Sequence, residues 1–257
     1  MTTVFPRATK LPLEDGVRDI IGKAQKGLGR ALPPEPWTPE SYRAIAAALR
    51  LGPGALLASA NRSWYPPDPG PINGLLCFTT PFEDFTVNSY VVFDPVSKQA
   101  AAFDTGSNCS GMVGAGVRIS QIFLTHTHAD HIVALDELRI RTRARAYVSE
   151  REPLPEVESF KDGDVFSIGR LQVETRRTSG HARGGVTYVV TGLAKSLAIV
   201  GDAIFAGSMG GGLVNYAEAL QTTRDNILGL ADDTVICPGH GPLTTVGDEK
   251  RHNPFFT

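Results

Sequence analysis

Seven consecutive residues, Thr125-His126-Thr127-His128-Ala129-Asp130-His131, carry three imidazoles and a carboxylate in an H-x-H-x-D-H pattern. The chain has only six histidines, so half of them fall in this stretch. Neutral imidazole and carboxylate are ligands that Zn, Fe and Mn accept, and such density points to a metal site. What precedes the cluster constrains the fold. Val117-Arg118-Ile119-Ser120-Gln121-Ile122-Phe123-Leu124 reads as a short apolar strand. The cluster then lies at the strand's end, on a loop that can aim several side chains at one centre.

Two of the other histidines sit in similar loops. His181 ends Thr178-Ser179-Gly180-His181, after the strand pattern Leu171-Gln172-Val173-Glu174-Thr175. His240 lies in Cys237-Pro238-Gly239-His240-Gly241-Pro242, after Thr234-Val235-Ile236. Between them Asp202 follows Leu197-Ala198-Ile199-Val200-Gly201, another apolar strand running into a glycine. Glycine beside each ligand lets the backbone approach closely. Each single site is weak by itself; the recurrence of strand, turn and Asp or His carries the argument.

In this order, the H-x-H-x-D-H segment, the later Gly-His, the Gly-Asp and the last Gly-His resemble the metallo-β-lactamase-fold superfamily, from about Asn73 to the C-terminus. The resemblance implies a four-layer αββα sandwich with metals at one edge of two sheets. It implies two divalent metal ions, Zn first, with Fe or Mn as alternatives. His126, His128 and His181 resemble the ligands of one metal, and Asp130, His131 and His240 those of the other, with Asp202 bridging both. Asp202 and the absence of a secretion signal resemble the hydrolase branch rather than the antibiotic-resistance branch. Pro238-Gly239-His240-Gly241-Pro242 and His252-Asn253-Pro254-Phe255-Phe256 are similar to the ending of short bacterial glyoxalase II-like proteins. The helical domain that classical hydroxyacylglutathione hydrolases add is not expected after Thr257.

The chemistry implied is hydrolysis of a thioester or ester. Metals about 3.5–4 Å apart share a water, lower its pKa to roughly 7, and stabilise the oxyanion that hydroxide attack produces. Asp130 is the expected catalytic side chain, orienting that water or taking its proton. Cys237 is expected to be a small buried residue rather than a nucleophile. Asp104, in Phe103-Asp104-Thr105-Gly106, is the best candidate to hold a ligand imidazole by its other nitrogen, with Thr125 and Ser179 as further hydrogen-bonding neighbours. Other activities remain open: a mononuclear iron persulfide dioxygenase, or a lactonase or phosphodiesterase of the same fold.

A net charge of −2 and the lack of a basic stripe argue against nucleic acid as a partner. No run of about 18 apolar residues is present, so no membrane span is expected. An N-terminus without an apolar h-region and three scattered cysteines point to the cytoplasm. The partner expected is a small-molecule (thio)ester.

Most of the 18 prolines fall at or before Pro71, which sets a helical, proline-rich N-terminal extension (1–72) apart from the main domain (73–257). A helix is expected over Leu13 to Leu28, and a second from Pro39 to Leu51, with Thr38 as N-cap and Gly52-Pro53-Gly54 as its stop. Trp37 and Trp64 are read as packing anchors, with a lid or a homodimer contact as the sharper alternatives. Strands are expected at Asn88–Phe93, Ala100–Phe103, Ala146–Val148 and Val186–Val190, and helices from His131 to Arg145 and from Glu218 to Leu230. Arg139, Arg141, Arg143 and Arg145 are read as a solvated helix end, with docking of substrate carboxylates as the alternative.

Overall fold

The structure, a computed structural model, describes residues 16–32 and 37–257. Leu13 to Asp15, the expected start of the first helix, lie outside the described residues. Three helices come first: α1 (Gly16–Leu28), α2 (Pro39–Leu49) and α3 (Pro53–Ala60). Then follow β1 (Leu75–Phe82), β2 (Phe85–Phe93), β3 (Gln99–Phe103), α4 (Ser110–Val113), β4 (Arg118–Phe123), α5 (Ala129–Ile132), α6 (Leu135–Thr142), β5 (Arg145–Ser149) and β6 (Glu158–Phe160). The second half comprises β7 (Val165–Ile168), β8 (Leu171–Arg177), β9 (Val186–Thr191), β10 (Leu197–Gly201), α7 (Tyr216–Asn226), β11 (Val235–Pro238), β12 (Thr244–Thr245) and α8 (Val246–His252).

The strands form two six-stranded sheets, ordered β1-β2-β3-β4-β5-β6 and β12-β11-β10-β9-β8-β7. Both are mixed. In the first, β1-β2-β3 are antiparallel and β3 to β6 are parallel. Side chains alternate across a strand, and here both faces are apolar. Tyr90, Val92, Ala101, Phe103 and Phe123 turn inward, where they meet Val173, Tyr188, Val190, Ile199 and Cys237 of the second sheet. Val91, Ala100, Ala102 and Ile122 turn outward, against Met112, Leu135 and Leu138 of α4 and α6. Ala198, Val200 and Ile236 face outward from the second sheet, against Ile227, Leu228 and Val246. Burial on both faces explains why β10 and β11 read as continuous apolar runs. The result is the αββα sandwich.

The expected helix from His131 to Arg145 is broken. A continuous helix would use the His131 carbonyl for the N–H of residue 135. Instead that carbonyl accepts from the Thr105 backbone N–H (2.8 Å) and hydroxyl (3.0 Å). The chain therefore ends α5 at Ile132 and restarts at Leu135 as α6. Helix α6 ends on Arg143 in the left-handed region (φ 58°), and Arg145 already belongs to β5.

Thr38 caps α2 as expected, its hydroxyl accepting from the Ser41 N–H. Gly52-Pro53-Gly54 does not merely stop α2; Pro53 opens α3, because proline at the first helical position forfeits no hydrogen bond. These helices share a core with the sandwich. Ile20, Ile21, Ala24, Ile45, Leu49 and Leu56 pack against Met209, Tyr216 and Phe255. The Gly52 N–H donates to the Pro254 carbonyl at 2.7 Å, and the Trp64 ring stacks on His252 at 4.6 Å. Among the described residues no helix is long and apolar enough to cross a membrane.

Candidate metal centre

Loops from both sheets converge at one end of the sandwich. The Val186 N–H donates to the Thr125 carbonyl (2.9 Å), and the Tyr188 hydroxyl to the Leu124 carbonyl (2.6 Å). These bonds tie the loop after β4 to β9 in the other sheet. The Asn88 amide donates to the Pro238 and Gly241 carbonyls, at 3.1 and 2.8 Å, tying β2 to the loop after β11.

All seven expected ligand side chains meet there, in two groups. In the first, His128 Nδ1 lies 3.0 Å from His126 Nε2 and 3.0 Å from His181 Nε2, and Asp202 Oδ2 stands 3.4 Å from His181 Nε2. In the second, Asp130 Oδ2 lies 3.4 Å from His131 Nε2 and 3.3 Å from His240 Nε2. Asp202 also reaches this second group, with Oδ1 3.3 Å from His131 Nε2 and Oδ2 3.4 Å from His240 Nε2. Within each group the ligand atoms lie within 4.8 Å of one another. Ligand atoms arranged tetrahedrally about 2.0–2.1 Å from a Zn ion stand roughly 3.3–3.4 Å apart, so these spacings suit such a centre.

Two buried atoms argue further for cations. His131 Nε2 and Asp202 Oδ1, sealed from solvent and 3.3 Å apart, make no hydrogen bond of normal geometry to each other or to any other group. Buried polar atoms are rarely left unpaired, because each costs its full desolvation. The backbone at Gly239 presses against the same point: a Cβ there would run into Asp202 Oδ1 and the His131 ring. A Cβ at Gly210 would meet the Asp202 carbonyl and His181 Nδ1. These glycines are needed for close approach.

The charge balance agrees. Burial pushes His126 well below its ordinary pKa, with His131 acting in the same direction, and burial lowers His181. Burial also opposes charge on His131 and His240, but the carboxylates prevail. Asp104 and Asp202 hold His131 well above its ordinary value; Asp202 and Asp130 lift His240 to about 10. Burial works against charge on Asp202 and Asp130 too. Yet His240 and His131 hold Asp202 well below the usual carboxylate range, and His240 and His131 lower Asp130. The site concentrates negative charge that protons on His131 and His240 offset, and a bound metal displaces such protons.

The outer nitrogens of four imidazoles are held. His181 Nδ1 donates to the Gly211 carbonyl (2.8 Å) and His240 Nδ1 to the Thr86 carbonyl (2.7 Å). A carbonyl can only accept, so these rings carry hydrogen on Nδ1 and turn a bare Nε2 inward when neutral. Asp104 does more than was expected of it. Oδ2 faces His131 Nδ1 at 2.8 Å and accepts from the Thr125 hydroxyl at 2.7 Å; Oδ1 accepts from the Thr125 N–H at 2.8 Å. The Thr125 hydroxyl in turn faces His126 Nδ1 at 3.0 Å. One carboxylate thereby orients an imidazole in each group. Asp104 adopts φ +54°, a left-handed conformation that non-glycine residues rarely use and that clusters at functional sites.

Ser179 does not join this network. Its hydroxyl donates to Glu218 (2.6 Å) and accepts from Arg177 (2.6 Å), and Arg177 and Glu218 are also paired directly. Three of the four arginines near α6 are paired with carboxylates: Arg139 with Asp136 and Glu156, Arg141 with Glu137, Arg145 with Glu158. Cys237 is fully buried, and burial pushes its thiol up, which suits packing rather than attack. Sequence reasoning missed the Thr86 and Gly211 carbonyls, and also Phe85 and Phe205, whose rings stand edge-on to His240 at 5.3 and 5.5 Å.

The chain belongs to the metallo-β-lactamase superfamily, whose family model matches residues 83–240. That match begins beyond α3, so the three N-terminal helices lie outside it. An uncharacterized protein of Mycobacterium tuberculosis is 30% identical over 211 residues, covering 66% of this chain and 92% of that protein. The hydroxyacylglutathione hydrolase GloC of Haemophilus influenzae is 26% identical over 205 residues, covering 68% of this chain and 95% of that enzyme. The crystal structure of the BLEG-1 B3 metallo-β-lactamase is similar with a TM-score of 0.61 and 27% identity, covering 71% of this chain and all of that one.

Proposed function

We propose that the protein is a dinuclear metal-dependent hydrolase that cleaves a thioester or ester of a small molecule, in the manner of glyoxalase II. The observation that carries this reading is Asp202, whose carboxylate faces both groups of imidazoles. His126, His128 and His181 would hold one cation, Asp130, His131 and His240 the other, with Asp202 shared. Two divalent ions there, Zn first and Fe or Mn next, would supply Lewis-acid polarisation of a carbonyl and a water acidified to near-neutral pKa. Asp130 is the residue to which we assign the catalytic role: its carboxylate, held ionised by His240 and His131 although burial opposes this, would accept a hydrogen bond from such a water and orient it, or take its proton. Phe85 and Phe205 screen His240 from solvent on two sides. Free Cys77, Cys109 and Cys237 accord with a reducing compartment, the cytoplasm. The near-neutral net charge disfavours nucleic acid as substrate.

The test is metal analysis of protein purified without added metal, followed by thioester and lactone panels. About two Zn per chain and turnover of a thioester are expected. One Fe per chain, with oxygen uptake on glutathione persulfide and no hydrolysis, overturns the reading in favour of a dioxygenase.

A further inference from the structure

Large apolar side chains left in water are normally scattered; gathered around a polar site, they mark what the site binds. Phe85 is 40% exposed although its ring touches His240. Phe82 faces it across the tip of the β1–β2 hairpin, with ring centroids 5.6 Å apart. The other metal group has its own apolar neighbours. Gly211, whose carbonyl holds His181, leads into Leu213 and Val214, which are 58% and 52% exposed. The Leu213 N–H returns to that same carbonyl at 2.9 Å, so the side chain stands beside the His181 support. Each metal group thus has a water-exposed apolar side chain next to the residues that hold it.

We propose that the acyl group of the substrate is apolar, a hydrocarbon or aromatic acyl chain that lies over Phe85 and Leu213. This rests on the thioester hydrolase reading and narrows it, since a small hydroxyacyl group would leave both side chains in water. Burying them against a hydrocarbon removes apolar surface from water on both partners.

The experiment compares acetyl, butyryl, hexanoyl, benzoyl and lactoyl thioesters of one thiol on the metal-loaded full chain, with Phe85→Ser and Leu213→Ser alongside. Both positions are exposed, so the variants are expected to fold, and their metal content checks this. From acetyl to hexanoyl, kcat/KM should rise about two- to fourfold per methylene. Each substitution should lower the hexanoyl-over-acetyl ratio about tenfold. Calorimetric binding of hexanoate against acetate to the metal-loaded protein gives a second readout, with hexanoate binding tighter and losing that advantage in the variants. Hydrolysis of every thioester with no chain-length dependence overturns the acyl proposal and leaves the hydrolase reading standing. Hydrolysis of none, with hexanoate still preferred in binding, removes the hydrolase reading and keeps the apolar site. A concentration-dependent dimer that Leu213→Ser dissociates, with the acyl ratio unchanged, assigns these side chains to a second copy of the chain and overturns the proposal.

Discussion

At the scale of single residues, Asp104 links the two candidate metal groups, through His131 in one and through Thr125 to His126 in the other. It is 3% exposed and faces His131 Nδ1, the Thr125 hydroxyl and the Thr125 N–H. Removing it leaves those groups buried without their acceptor. Asp104→Ala should weaken metal binding about 10- to 100-fold, the usual effect of losing such a support. Metal retained against a chelator of known affinity measures this, with circular dichroism to confirm folding; unchanged affinity would sink the assignment. The candidate ligands were legible as a group because few side-chain types bind metal and six histidines leave few choices. Asp104 was legible for a similar reason, as a carboxylate following a strand. The Thr86 and Gly211 carbonyls were not, since every residue carries one and only the fold brings these two to His240 and His181. Ser179 misled because adjacency in sequence to His181 says nothing of direction; its hydroxyl turns to Glu218 instead.

Strands were read well and helix ends poorly, and the cause is the range of the interactions. Alternating or continuous apolar runs are local signals, and β4, β8, β10 and β11 fall where those signals lie. The break between α5 and α6 depends on Thr105, which lies 26 residues before His131. No local pattern announces it. Helix α8 carries another distant device. Glu249 is fully buried, and its carboxylate accepts from the Thr244 hydroxyl (2.7 Å), the Asn253 amide (2.8 Å) and the Gly207 N–H (2.9 Å). Asn253 also donates to the Ser208 carbonyl (2.7 Å), so the pair fixes the turn that carries Phe205 toward His240. Burial raises the Glu249 pKa from 4.5 to about 7 despite the three donors. The folded state then binds its proton more tightly than the unfolded state. The associated stability is full below pH 4.5 and is lost as pH rises through about 7. At roughly 1.4 kcal/mol per unit, that is about 3 kcal/mol across the window. Glu249→Gln cannot titrate, so its stability should stay flatter than that of the native protein from pH 4.5 to 7. Denaturant titrations at several pH values measure the difference, and parallel curves would show that Glu249 does not titrate there.

For the whole molecule, the candidate metal centre lies where the loops of the two sheets meet, so a metal held there would clasp one sheet to the other. His126, His128, Asp130 and His131 follow β4 of the first sheet, whereas His181, Asp202 and His240 follow β8, β10 and β11 of the second. Each metal group draws ligands from both sides. Helices α1 to α3 reinforce the second side, since Met209, from the segment between Asp202 and α7, and Tyr216, the first residue of α7, belong to their core. The proline-rich composition of the extension was legible, but its partners were not, because residues it covers, such as Met209, Tyr216 and Phe255, lie far later in the chain. A ligand that binds only the folded state stabilises it by about 4 kcal/mol when present at 1,000 times its dissociation constant. For a chain of this size, about 2–4 °C accompanies each kcal/mol. Chelating the metals should therefore lower the melting temperature by roughly 8–16 °C, and restoring Zn should recover it. His181→Ala should show a smaller drop on chelation, because the first group then lacks its imidazole from the second sheet. Scanning calorimetry with and without chelator tests both statements. A melting temperature that stays constant while metal analysis shows complete removal would mean that the apolar core between the sheets, with the hydrogen bonds from Val186, Tyr188 and Asn88, holds them together without any help from metals.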